Sequence, residues 1–213
     1  MDNLLERASI VLTPTAYNDA ELLCVKPEDG SGDFDFSRNS SATRVNAQGL
    51  VEDVQILSGE LVTNGDFSNG STGWVLGTGW SISNGKAIKT AGGSGFLSQN
   101  SGLVVGKNYK ATFTISNTTN GSLSLMEDFS TSVQSFASDG DYIVYYQPNG
   151  ASLVFLSNAT FNGSITNISV KEVTNDTNLP RINYENGCGH LLFEGQSTNL
   201  APYSEDFSQW ILG

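Results

Sequence analysis

A chain of 213 residues with 38% hydrophobic and only 15% charged residues is long enough for one large or two small domains with a real core. A formal net charge of −12 and a pI near 4.2 repel phosphate backbones, which excludes nucleic acid as a natural partner. No run of about 18 apolar residues is present, and no basic stretch followed by an apolar one opens the chain; neither a membrane span nor a secretory leader is read.

Gly, Ser, Thr and Asn dominate, with 23 glycines, whereas long surface helices need Ala, Leu, Glu and Lys. Short strands joined by tight turns are therefore expected throughout. The one helical expectation is a turn or two over Met1–Ala8. Residues 1–57 then contain Asp33-Phe34-Asp35-Phe36-Ser37-Arg38, Ala42-Thr43-Arg44-Val45-Asn46 and Gly49-Leu50-Val51-Glu52. That piece is too short to bury a core alone.

From Leu61 onward the pattern is β. Leu61-Val62-Thr63-Asn64-Gly65-Asp66-Phe67-Ser68 leads to Trp74. Trp80-Ser81-Ile82-Ser83 alternates, Asn84-Gly85 signals a hairpin, and Ala87-Ile88-Lys89 continues. Tyr109–Ile115 alternates cleanly, so one face is buried and the other wet. Asn120-Gly121 turns into Ser122–Met126. Asp141–Tyr146 meets a Pro148-Asn149-Gly150 turn and is answered by Ala151–Leu156. Ile165–Val173 is the last strand. Eight or nine strands over 61–173 predict a two-sheet sandwich with jelly-roll connections.

The closing stretch holds Leu179-Pro180-Arg181-Ile182-Asn183-Tyr184, Leu191-Leu192-Phe193-Glu194 and Ser197-Thr198-Asn199-Leu200. Residues 200–210, with Asp206-Phe207-Ser208 and Trp210, echo 61–74. Two readings stand open: the first strand of a further β-domain, with the chain the front of a longer polypeptide, or a strand pairing back onto the body.

The string Phe36-Ser37-Arg38-Asn39-Ser40-Ser41-Ala42-Thr43-Arg44-Val45-Asn46-Ala47-Gln48-Gly49-Leu50-Val51-Glu52, followed later by 179–200, resembles a split segment of bacteriophage virion proteins, the head or tail fibres and spikes. The resemblance covers the first 57 residues and the last 36. It implies that 1–57 and 178–200 fold as one discontinuous anchoring module, with Arg38, Thr43, Arg44, Asn46, Arg181, Glu194 and Asn199 as its motif residues. Residues 58–177 would then be an inserted jelly roll of carbohydrate-binding type, and 201–213 a linker or the start of a further β-domain. Jelly-roll ends lie close together, so such an insertion need not pull its host apart.

The implied function is structural. The chain would belong to a virion assembled in the bacterial cytoplasm, dock on capsid, portal or tail, and project β-sandwiches for host attachment. A homo-oligomer, a trimer for a fibre, is expected. The alternatives are a glycan-binding module or an accessory domain of a capsule depolymerase. In related sugar-binding domains a final-strand Asp helps to hold structural calcium. Here that stretch carries Asn167, which leaves Asp66 a weak calcium candidate, because calcium favours several oxygens with net negative charge. No other cofactor is expected.

Sugars stack on aromatic faces. The candidates are Tyr142, Tyr146 and Trp80, ahead of Trp74, Phe129 and Tyr145. Tyr142 and Tyr146 share one strand face and Tyr145 takes the other, so one Tyr side should meet solvent. Catalysis is not expected. The adjacent Glu127 and Asp128 cannot face one glycosidic bond as an acid–base pair, and His190 beside Cys188 lacks further ligands. Cys24 and Cys188 are read as reduced and structural; a bridge would need their segments to be neighbours. Asn-x-Ser/Thr triplets such as Asn162-Gly163-Ser164 read as a by-product of composition.

Overall fold

The computed structural model describes residues 7–18, 21–35 and 40–192. The short helix expected over Met1–Ala8 falls mostly outside them, as does everything after residue 192. Among the described residues the chain divides into two compact units. One runs from Ile56 to Thr174; the other combines the residues up to Gln55 with those from Asn175.

The smaller unit opens with a three-stranded antiparallel sheet of β1 (Val11–Asn18), β2 (Glu21–Lys26) and β3 (Phe34–Asp35), in the order β1-β2-β3. A hairpin follows, β4 (Ala42–Val45) with β5 (Val51–Val54), in which Arg44 stands opposite Glu52. Its turn is built by Asn46, whose side-chain oxygen accepts the Gln48 and Leu50 N–H groups at 3.0 Å each. Such Asx geometry is why Asn precedes Gly49, which takes a left-handed φ of 79°.

The larger unit is the sandwich. Its strands are β6 (Ile56–Leu57), β7 (Val75–Leu76), β8 (Trp80–Ser83), β9 (Lys86–Lys89), β10 (Gly95–Asn100), β11 (Tyr109–Asn120), β12 (Leu123–Met126), β13 (Ser132–Phe136), β14 (Gly140–Tyr146), β15 (Ser152–Ser157) and β16 (Asn162–Asn175). One sheet has the order β13-β12-β15-β10-β7; the other has β14-β11-β16-β9-β8, with β6 pairing β16. From β9 onward the chain crosses repeatedly between the sheets, the connectivity of a jelly roll. The chain is therefore all-β, with a jelly-roll sandwich inserted into a second, β-rich unit. That unit closes with a hairpin of β17 (Ile182–Glu185) and β18 (Cys188–Leu191).

Alternation decides which side chains go inside. On β11 Tyr109, Ala111, Phe113 and Ile115 are buried and their neighbours are not. They meet Leu97, Leu123, Leu125, Phe136, Leu153 and Phe155 of the facing sheet in one core. Each fully buried large side chain stabilises by about 1.5–3 kcal/mol. Phe113 is the hub: its ring centroid lies 5.1 Å from Phe136, 5.0 Å from Phe155 and 5.6 Å from Tyr142.

One expected turn is a hairpin and another is not. Asn84-Gly85 is the hairpin turn foreseen, with both residues at positive φ (52° and 69°), as a twisted two-residue turn requires. Pro148-Asn149-Gly150 is not a hairpin: β14 and β15 lie in different sheets, so that turn crosses the sandwich. The last strand starts three residues earlier than expected and carries a bulge. Thr112 pairs with Ser169 and Thr114 with Thr166, so Asn167 and Ile168 together oppose Phe113. Asn167 absorbs the bend at a φ of 53°.

The sandwich ties its own beginning to its end. The Ser58 N–H donates to Glu172 O at 2.9 Å, the Glu172 N–H donates to Ser58 Oγ at 2.9 Å, and the Thr174 hydroxyl donates to Ile56 O at 3.1 Å. Glu60 continues the clasp: its carboxylate accepts the Val62 and Val170 N–H groups at 2.9 Å and the Ser169 hydroxyl at 2.5 Å. Partial burial opposes its ionisation, yet the Ser169, Val62 and Val170 bonds and the charge of Lys171 prevail, and its pKa is held below the ordinary carboxylate value.

Next comes the loop foreseen around Asn64-Gly65-Asp66-Phe67. The Asn64 amide donates to Gly70 O and Thr72 O, and its oxygen accepts the Asn69 N–H. Phe67 and Trp74 pack beneath at 5.2 Å. Gly65 runs against β16, where its carbonyl accepts the Ile168 N–H at 3.0 Å.

Candidate functional site

In the smaller unit the motif residues mostly build the unit itself. The Arg44 guanidinium reaches Glu52 at 2.7 and 2.8 Å, and the Asn46 amide donates to the same carboxylate at 3.1 Å. Two bonds join stretches far apart in sequence: Val45 N–H to Asn183 Oδ1 at 2.7 Å, and Arg181 Nη1 to Thr43 O at 3.2 Å. Thr43 thus contributes its backbone, while Arg181 is buried. Ala42, Val54 and Leu179 pack as a small apolar cluster. The hairpin tip stands outward, with Leu50 64% and Val51 71% exposed. Arg38, Glu194 and Asn199 lie outside the described residues.

The sugar-stacking expectations need correction. Trp80 is buried, and its indole N–H donates to Gly95 O at 2.9 Å. Tyr146 is buried beside Tyr109. Tyr142 is half-buried, with its ring packed on Phe136 at 4.5 Å and its hydroxyl donating to Ser138 O at 2.8 Å. The strand reads Asp-Tyr-Ile-Val-Tyr-Tyr, apolar on both faces, and its sheet partners select the Tyr142–Val144–Tyr146 face for the core. Tyr145 and Ile143 stand outward instead, and Lys110 Nζ lies 5.6 Å from the Tyr145 ring centroid. Trp74 is buried, its indole N–H donating to Asn64 O. Phe129 is 53% exposed and meets Phe96 edge-on.

The Tyr146 hydroxyl is buried without a hydrogen-bond partner. Burial and the neighbouring Tyr109 push its pKa well above the ordinary tyrosine value. Removing an unsatisfied buried hydroxyl lifts a desolvation cost of about 1–3 kcal/mol. Tyr146→Phe is therefore expected to leave stability unchanged or raise it by about 1 kcal/mol, as urea denaturation would show.

Other candidates serve turns. Asp66 accepts the Ser68 N–H and hydroxyl at 3.1 and 2.9 Å, and these bonds hold its pKa below the ordinary value. Asp128 caps the 127–131 loop through Ser130 and Thr131, and Glu127 accepts the Asn149 amide. Cys24 and Cys188 are free thiols. His190 stands opposite Asn183 in the closing hairpin. Among the described residues no group of three or more His, Cys, Asp or Glu gathers to hold a metal.

A groove of about 440 Å³ opens on the outer face of the β14-β11-β16-β9-β8 sheet. Ser83 and Asn84 come from the β8–β9 hairpin, Lys86 and Ile88 from β9, Asn117 from β11, and Asn162, Gly163 and Ser164 from β16. Its floor is a hydrogen-bonded run: Lys86 Nζ donates to Ser116 Oγ at 2.9 Å, the Ser116 and Ser164 hydroxyls pair at 3.0 Å, and Ser164 Oγ donates to Ser116 O at 2.9 Å. Asp139 accepts the Asn117 and Thr118 N–H groups at 2.9 and 2.8 Å. The Thr118 and Asn117 bonds, with the charge of Lys86, hold its pKa below the ordinary value. Sequence reading missed this site. The signal present was Asn162-Gly163-Ser164, but nothing in it shows that the fold sets it beside Asn84 and Asn117.

The fold belongs to the class of jelly-roll β-sandwiches. Solved structures with some likeness include a bacteriophage CBA120 tailspike protein 4 enzymatically active domain, at 17% identity and a TM-score of 0.36 over 54% of this chain. The chain spans 21% of that domain's length. A structure described as CBM4 matches at 12% identity and a TM-score of 0.39, over 52% of this chain and 99% of its own. A family 29 carbohydrate-binding module matches at 18% identity and 0.31, over 47% and 79%. Likenesses this distant leave ligand and activity open. No family model and no curated protein matches the chain.

Proposed function

We propose that the chain is a non-catalytic structural component of a phage fibre or spike, in which the smaller unit attaches to the particle and the jelly roll serves host-surface contact. The supporting observation is the brace between the two stretches that carry the sequence resemblance, Asn183 to Val45 and Arg181 to Thr43, which holds up a hairpin with Leu50 and Val51 exposed. Exposed neighbouring apolar side chains suit a protein partner. The partner in this reading is another virion protein, with multivalency from a homo-oligomer.

The test is sedimentation with particles. The full-length protein should band with virions, and Leu50→Asp with Val51→Asp should release it while leaving its thermal midpoint within about 2 °C, a surface-level effect. Failure of the wild-type protein to band with virions would overturn the proposal. A second reading, glycan binding by the sandwich, is favoured by the groove on its outer sheet face, where Asn, Ser and Lys side chains stand along a largely apolar surface.

A further inference from the structure

We propose that this groove binds an acidic saccharide, with the sugar carboxylate seated on Lys86; the proposal rests on the glycan-binding reading and narrows it to a chemical class. The cations of the sandwich are unevenly placed. Between Ile56 and Thr174 they are all lysines. Lys89 is fully buried and caps the carbonyls of Thr90 and Gly93 at 2.6 and 2.9 Å. Lys107 is paired with Glu172 at 3.0 Å. Lys86, Lys110 and Lys171 occupy outward positions of the sheet face that carries the groove, where Asp139 and Asp141 also stand, bonded to Asn117, Thr118 and Thr114.

Lys86 is the one of these three that lines the groove. It is half-buried and commits one proton to Ser116 Oγ. Two ammonium donors remain, and among the described residues no carboxylate lies within ion-pair distance of it. Asp139 is near enough for its charge to be felt, but both its oxygens already accept backbone N–H groups. Along the same groove, the side chains of Ser83, Asn84 and Asn117 carry no hydrogen bond among the described residues. Amides and hydroxyls both donate and accept, which is the requirement for reading sugar hydroxyls. The Ile88 side chain supplies an apolar patch. A volume of about 440 Å³ falls within the usual range for small-ligand sites. An ammonium half-withdrawn from water favours a carboxylate over a neutral hydroxyl, because charge-assisted hydrogen bonds are roughly twice as strong as neutral ones.

The experiment is calorimetric titration of the full-length protein with a panel of uronic-acid and sialic-acid oligosaccharides, each beside its carboxyl-reduced counterpart. The acidic members should bind, more weakly as salt rises, and their reduced counterparts should bind about tenfold more weakly or not at all. Lys86→Gln should lose at least about tenfold in affinity for the acidic member at an unchanged thermal midpoint, and Lys171→Gln, outside the groove, should not. Equal binding of acidic and reduced sugars, or full affinity in Lys86→Gln, overturns the proposal and leaves glycan binding standing. If no member of either set binds, the glycan reading falls with it.

Discussion

Phe113→Ala is expected to destabilise the sandwich by about 3–5 kcal/mol, the range for emptying a buried aromatic site. The thermal midpoint should drop by more than about 10 °C. The residue is 2% exposed and contacts three rings, two of them on the facing sheet. Its loss removes the contact that spans both layers, and Phe155 and Phe136 cannot close the gap without leaving their strands. Urea denaturation of the full-length protein, followed by near-ultraviolet circular dichroism, measures the effect. Phe113→Leu, which retains most of the volume, should lose less than half as much. A cost below about 1 kcal/mol for the alanine variant would mean that the ring cluster is not packed as described.

Gly65→Ala should be at least as severe, although it adds a single methyl group. A Cβ at this position would sit 1.9 Å from the Ile168 carbonyl oxygen. Both sides of that contact are backbone, and the Gly65 carbonyl is itself bonded to the Ile168 N–H. The loop must therefore part from β16, which also loosens the Leu61 N–H to Val170 O bond beside it. The expected loss exceeds about 4 kcal/mol, in the range that marks a specific structural conflict. Amide exchange at Ile168 should accelerate together with that at Leu61. Gly70→Ala supplies the contrast: Gly70 has a positive φ, 59°, which Gly65 does not share, and a Cβ there meets nothing within 4 Å. It should cost only the 1–2 kcal/mol or so of a left-handed alanine, whereas the larger loss in Gly65→Ala comes from the close approach without any left-handed strain.

Much of the sandwich was legible because its signals are local. The Asn84-Gly85 turn and the alternation of Tyr109–Ile115 are properties of a few adjacent residues. β10 was not anticipated because its pattern is disguised. Ser98 and Gln99 are polar yet buried, and Gln99 is inside because its amide bonds Thr63 in both directions, N–H to Oε1 and Nε2 to O, at 2.8 Å. A partner 36 residues away has no trace in the strand's own sequence. β13 escaped for the opposite reason: as an edge strand it buries only Phe136, too little to show a period. The tyrosines of β14 show the same limit, since both faces read as apolar and the choice belongs to β11. The groove was hidden most completely, because its residues lie on four strands and each looks like ordinary turn or strand material.

The paired ends of the sandwich carry one further consequence. Since Ile56 and Thr174 leave side by side, bonded to one another, the whole jelly roll is a cassette with a single seam. Any other domain whose two termini emerge together could replace it without lengthening or shortening the flanking chain. Exchange at that seam would then replace the sandwich while leaving the strands of the smaller unit as they are.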